Sequence, residues 1–454
     1  MSKCFANKNR GSTEIVYLTS HIKTTRFITV FLSLFLLTAC QSVTFIQSKD
    51  DISALKYEFS LIKNQSVFGK MGGVEVNEND SLPLIARHYG LGFDEITLAN
   101  PETDTWLPQT GHTVILPLKF VLPNTPQKGL VLNLAAKRLF YFTENKANKV
   151  LTFPVGIGRK GWETPTGTTK VIAKKEHPDW VVPRSIRLEH KKKGDPLPKV
   201  VRAGPNNPLG DYAIRLGIPG YLIHGTNKPY GVGMAISHGC IRLYPEDIAI
   251  LFKQIKISSQ VKLIHQPFLI GWEKDELYIQ VYPSAHVSKK HYQKLQLDFK
   301  KKIKRIAHRT TRQINWDKVD KAINQKNGVT VAIFSDSPLV TSDLFTPSLH
   351  LYQQVKPSGL TIDSWRLKVT ESTNAKTAQR LTAMLNHQGP PIPSHTLSSK
   401  IGYIVVAGPF FTEKDAHKSL TRLKIDFSIQ ASLIEPGQEI SEIQNIKSFI
   451  SNLF

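Results

Sequence analysis

Three short runs, Leu130 to Leu134, Arg138 to Phe142 and Val150 to Gly156, alternate apolar and polar positions and are separated by turn residues. That period of two predicts successive antiparallel strands. Residues 169–173, 213–217, 221–224 and 261–264 add more strands, whereas 245–256 repeats its apolar positions as a helix does. The stretch 128–266 is therefore expected to be a β-rich domain of sandwich or barrel-like form.

The pattern on either side is different. From 67 to 118 it reads strand, helix, helix, strand: Asp80 or Ser81 caps a first helix whose inner face carries Leu82, Ile85 and Ala86. A second helix opens at Phe93 and closes at Asn100-Pro101, and Val114 to Pro117 forms the last strand. Residues 267–334 begin with strand-like Leu277 to Tyr282 and continue into a Lys-rich helix from Phe299, a basic extension. Residues 335–360 are rich in Ser, Pro and Thr and read as a linker. Residues 361–437 hold a repeat, Trp365 to Val369 then Asn374 to Leu381, and Tyr403 to Phe410 then Lys414 to Leu423, each a strand followed by an amphipathic helix. Residues 438–454 are a tail.

At the N-terminus, Arg26 precedes the apolar run Phe27 to Leu37, which ends at Thr38-Ala39-Cys40. The run is too short for a membrane span and reads as a leader over 1–39. Residues 40–66 then form an N-terminal stretch and tether. Lys and Arg number 59 against 36 Asp and Glu, a formal charge of +23. Such an excess favours an anionic partner, a membrane surface or an anionic wall, and no nucleic-acid motif accompanies it. The histidines lack metal-ligand spacing, so neither a metal nor any other cofactor is expected.

Candidate chemistry concentrates between Tyr221 and Pro245. Cys240 has His238 two positions before it and His224 sixteen before it. A thiol attacks as a thiolate, and a neighbouring base or positive charge assists its formation. His224 offers the base and Arg242 the charge, while Gly239 lets the backbone approach closely, so that consecutive amides could face a developing oxyanion. Removal of a leader would take Cys4 with it, and a lipidated Cys40 would leave Cys240 as the lone thiol.

The run Ile223-His224-Gly225-Thr226-Asn227, a Gly-rich spacer, then Ser237-His238-Gly239-Cys240-Ile241-Arg242-Leu243 resembles the signature of the L,D-transpeptidases, the YkuD or ErfK family of peptidoglycan enzymes. Thr164 to Gly167, Pro178 to Trp180, Asp195 to Pro198 and Ala203 to Gly210 resemble that family too. Leu37 to Cys40 resembles a lipobox, residues 67–118 a LysM module, and Gly408-Pro409-Phe410 with Ala416 to Leu423 a SPOR domain, although the usual glycine after the second helix is missing at Ile425-Asp426-Phe427. The chain is thus expected to be multidomain, a β-rich catalytic domain with small α+β LysM-like and SPOR-like modules.

The resemblance implies that Cys240 attacks the diaminopimelate carbonyl of a tetrapeptide stem, with His224 as general base oriented by the Gly225 carbonyl. Amides at Gly239, Cys240 and His238 would form the oxyanion hole, and His238 would shape the turn. Ser237 and Arg242 are implied either to support the site from behind or to contact a substrate carboxylate. Tyr212 and Trp180 are candidate walls of the donor groove, but core packing is the favoured reading for each, since aromatics are commonly buried. Implied partners are peptidoglycan stems and glycan, and a membrane reached through lipid on Cys40. The acceptor amine is either an outer-membrane lipoprotein lysine or diaminopimelate. The implied location is the periplasm, lipid-anchored, at the outer membrane because Asp is absent at Gln41. A non-catalytic tether between membrane and wall is the alternative function.

Overall fold

The computed structural model describes residues 58–143, 148–284, 287–339, 344–345, 357–387 and 391–440. The leader, Cys40 and the tail beyond 440 lie outside the described residues. A nine-stranded sheet organises the centre, its strands in the order Glu58–Ser60, Lys149–Pro154, Arg138–Phe142, Gly129–Asn133, Gln260–Ile264, Gly167–Glu176, Tyr212–Leu216, Leu222–His224 and Ile241–Arg242. The strands 129–133 and 138–142 are buried at every position because both faces of the sheet are covered. Alternation sends Leu130, Leu132, Leu139 and Tyr141 into one core, with Ile248, Leu251 and Phe252 of the helix Pro245–Gln254. Val131, Phe140, Phe142 and Val150 enter a second core on the opposite face.

That second core is shared with the N-terminal module. Strand Gly72–Glu75 pairs with Thr113–Leu116, and helices α1 (Leu82–His88) and α2 (Phe93–Ala99) lie between them in sequence, so the strand, helix, helix, strand order is present. Ser81 is the N-cap of α1, accepting from the Leu84 amide. The module is locked to the sheet by Arg138, 1% exposed, which donates to Glu95 at 2.6 and 2.8 Å, to the Gly90 carbonyl at 2.9 Å and to Thr152 at 3.2 Å. Arg87 pairs with both oxygens of Glu246 at 2.7 and 2.8 Å. A Cβ on Gly92 would stand 2.6 Å from Gly233 Cα, so the two backbones meet only because both residues are glycine.

The basic extension is larger than a strand and a helix. Phe268–Glu273, Glu276–Val281 and Val331–Ala332 form a sheet, covered by helices α5 (Lys289–Ala307) and α6 (Trp316–Gln325), with α3 (Arg184–Lys192) and α4 (Pro245–Gln254) preceding them in the chain. Leu277, Ile279, Phe299, Ile303, Val319, Ile323 and Phe334 are its own core. Within the expected linker, Phe345 accepts from Gly73 N–H and donates to the Met71 carbonyl, lying along the edge of the N-terminal module.

The C-terminal region holds a sheet in the order Ser394–Ser399, Gly402–Phe410, Trp365–Ser372, Ser432–Ile434, with helices α7 (Ala375–His387) and α8 (Glu413–Phe427). The strand 394–399 escaped the sequence pattern because it is mostly polar. Where the glycine was missed, α8 ends instead at Ser428, which takes the left-handed conformation at φ 58°.

Candidate active site

Two pairings build the site. Leu222–His224 runs antiparallel to 212–216, with Ala213 opposite His224, and parallel to 241–242, with His224 opposite Arg242 and Ile223 opposite Ile241. Ile223, Ile241 and Ile214 therefore face the core, and Leu222, His224 and Arg242 share the other face. Cys240 stands immediately before the strand that pairs with the His224 strand, and the Arg242 charge acts on both His224 and Cys240.

His224 is 3% exposed, and its Nδ1 donates to the Gly225 carbonyl at 2.6 Å. That proton on Nδ1 leaves Nε2 as the basic nitrogen. Burial, with the Arg242 charge second, drives the pKa down to about 3, against the pull of the Gly225 and Leu209 carbonyls. The imidazole is consequently neutral at any physiological pH. Burial pushes the Cys240 thiol up, while the Leu222 amide facing the sulfur and the Arg242 charge pull it back. The thiol donates to the Gly220 carbonyl at 3.7 Å. The resting pair is thus a neutral thiol beside a neutral base.

The turn that carries Cys240 is held from within. Ser237 Oγ accepts from the Gly239 amide at 3.1 Å and donates to the Cys240 carbonyl at 2.6 Å. Of the two readings of Ser237, the structure shows the support from behind: it is 1% exposed and engaged inside the turn. One expectation is corrected, since the Gly239 amide is taken by Ser237 and is not free for an oxyanion. Gly239 is still required, since φ is +101° and a Cβ would come within 2.9 Å of Tyr221. From outside, Thr164 Oγ1 accepts from Gly158 N–H at 3.0 Å and donates to the Gly239 carbonyl at 2.8 Å.

His238 belongs to a charged cluster that sequence reading missed. Its Nε2 lies 3.0 Å from Glu189 and 3.1 Å from Arg159, and Arg159 donates to both Glu189 oxygens at 2.8 Å. Trp162 meets the His238 ring edge-on at 4.9 Å. Glu189 comes from α3, a second helix in a region where only 245–256 was expected to be helical. Hydrogen bonds from Lys193, His238 and Arg159 hold its carboxylate down at about 2. The only local signal was an acidic residue within a basic run.

Arg242 sits opposite His224 with its Nε buried and, among the described residues, without a hydrogen-bond partner. Tyr212 follows the favoured core reading and not the groove wall: one residue from Ala213, it points to the opposite face from His224 and packs on Phe252 at 4.8 Å. Trp180 lies in a two-residue ribbon with Val201, at the base of the excursion that carries α3. Among the described residues no group of three His, Cys, Asp or Glu side chains is placed to hold a metal.

Residues 127–263 match the family model of the L,D-transpeptidase catalytic domain, and residues 363–434 that of the SPOR domain. Three proteins of Escherichia coli (strain K12) are similar. Probable L,D-transpeptidase YcfS is 42% identical over 201 residues, 43% of this chain and 62% of that protein. Probable L,D-transpeptidase YbiS is 35% identical, over 57% of this chain and 86% of that protein. Probable L,D-transpeptidase ErfK/SrfK is 35% identical, over 59% and 88%.

Proposed function

We propose that this chain, which belongs to the L,D-transpeptidase family, is a cysteine acyltransferase of the cell envelope acting on peptidoglycan tetrapeptide stems. The observation that supports the reading is the parallel pairing of 222–224 with 241–242, which sets the imidazole of His224 opposite Arg242 at the sheet edge, with Cys240 directly before that strand.

The chemistry follows from those groups. His224 Nε2 takes the thiol proton as Cys240 Sγ attacks the carbonyl of the diaminopimelate residue, giving a tetrahedral oxyanion. General base assistance of this kind is worth about two to four powers of ten. Because the Gly239 amide is engaged by Ser237, the Cys240 amide is the principal donor to the oxyanion, with His238 beside it; one such donor is worth roughly 3 kcal/mol. Collapse expels D-alanine, which leaves with the proton from His224, and a thioester remains. An amine then attacks the thioester while His224 takes its proton, and the thiol is regenerated. Arg242, with a free buried Nε, suits a stem carboxylate.

The acceptor is an outer-membrane lipoprotein lysine or a second diaminopimelate. Lipid on Cys40 would hold the chain at the outer membrane, facing the periplasm, and the N-terminal module, as a LysM-like unit, and the SPOR domain would hold glycan. The test is incubation of the protein with a disaccharide tetrapeptide, alone or with a lipoprotein peptide ending in lysine, followed by mass analysis. D-alanine release with a new amide to one acceptor is expected. Glycan binding without release would instead favour a tether between membrane and wall.

A further inference from the structure

Helix α5 is 19 residues long, about 28 Å. Its inner face is fixed by packing: Tyr292, Phe299 and Ile303 are buried, and the Phe268 ring lies 5.0 and 5.2 Å from Tyr292 and Phe299. At 100° per residue, Lys290, Lys294, Leu297, Lys301, Lys304 and Arg305 fall within an arc of about 100° on the opposite side. The stripe runs about 22 Å along the helix.

Little inside the molecule accounts for this charge. Among the described residues Lys290, Lys294 and Arg305 have no ion-pair partner. Lys301 stands 3.9 Å from Asp298, with both side chains more than half exposed, and Lys304 lies 6.0 Å from the Trp316 ring. By contrast Lys300, off the stripe, is turned to Asp320 on α6. The first turn of α5 has no acidic residue and begins Lys289-Lys290, the wrong sign for the helix dipole. Leu297, in the middle of the stripe, is 60% exposed.

We propose that this face of α5 docks on an anionic phospholipid bilayer, lying along its surface with Leu297 entering the headgroup layer. A row of cations flanking an exposed apolar side chain is what such a surface binds, charge to headgroup and apolar group to the acyl boundary. A phosphate-lined nucleic acid would satisfy the cations but leave Leu297 in water, and the stripe has no aromatic side chain to stack on a base. The inference stands apart from the transpeptidase reading and survives its failure.

The test uses the compact unit Leu55–Phe454, co-sedimented in about 0.1 M salt, where charges are screened over about 10 Å. Vesicles are phosphatidylcholine alone or with phosphatidylglycerol. Binding is expected only to the anionic vesicles and should weaken as salt rises. At about fivefold per cation, K290Q/K294Q/K301Q/R305Q should lose several hundredfold in affinity, and Leu297→Gln several-fold. K290R/K294R/K301R keeps the charge and should bind as the parent does. Equal binding by parent and charge-removed protein, equal binding to neutral vesicles, loss of binding in the Lys-to-Arg protein, or tighter binding to a short DNA duplex would each overturn the proposal.

Discussion

Arg138 and Arg242 lie in strands of the same sheet, yet their surroundings differ in kind. Arg138 donates to a carboxylate, a carbonyl and a hydroxyl, and its guanidinium lies 4.3 Å from the Phe120 ring. Arg242 is enclosed beside His224 and Cys240 with Nε unpartnered, and burial lowers its pKa. A satisfied buried cation belongs to the fold, here joining the N-terminal module to the sheet. A buried donor left without a partner costs stability, and the proposed function accounts for the Arg242 Nε through a substrate carboxylate.

Breaking the first arginine should have the largest effect on stability. Arg138→Ala would strand Glu95 in the core, and urea unfolding should show a loss of about 3–5 kcal/mol. Replacing both, Arg138→Met with Glu95→Leu, should recover most of that loss. If the single change costs nothing, the pair does not anchor the module.

Arg242→Gln should invert the pattern. Stability is expected to change by less than about 1 kcal/mol, or to rise, while the rate of D-alanine release falls about a hundredfold. Equal loss in both measurements would make Arg242 structural like Arg138.

The two histidines sharpen the contrast through pH. An unfolded imidazole binds its proton near about 6.5, whereas folded His224 remains neutral until about 3. Its contribution to stability is therefore complete above the unfolded value and lost as pH falls towards the folded one. Cys240 acylation should show no inflection near neutral from His224 and should keep rising with pH beyond the ordinary thiol range, because burial raises the thiol. An inflection near 6.5 that persists in His238→Gln would contradict the enclosed His224.

The smallest expected effect is at Glu189. Glu189→Gln removes the charge between Arg159 and His238 but keeps the helix, and it should slow acylation about tenfold with little change in stability, since the cluster is partly exposed. Acylation unchanged in this variant would separate α3 from the catalytic turn.

Much of this was legible in the sequence, and the failures share a cause. Alternation in 130–142 announced strands, and Ser81 announced a cap, because both signals are local. Cys240, His224 and Arg242 could be singled out as candidates from the motif they share. Composition alone favoured the core for Tyr212 but could not decide it, because its side follows from the pairing of Ala213 with His224, a register the sequence does not state. Ser237 was left between a supporting role and a substrate contact because nothing local shows that its hydroxyl closes the turn on Cys240. Glu95 with Arg138, 43 positions apart, and Glu189 with His238, 49 apart, are tertiary pairs that no window contains. Helix α3 was missed because Lys- and Arg-rich composition hid an inner face with one buried residue, Ile186.

The most direct measurement is the intact mass of Leu55–Phe454 after exposure to a carbapenem, with Cys240→Ala beside it. The account predicts one covalent adduct on the wild type and none on the variant, because acylation needs the thiol, the His224 base and the oxyanion donors together. No adduct on the folded wild type, or the same adduct on both proteins, would contradict it.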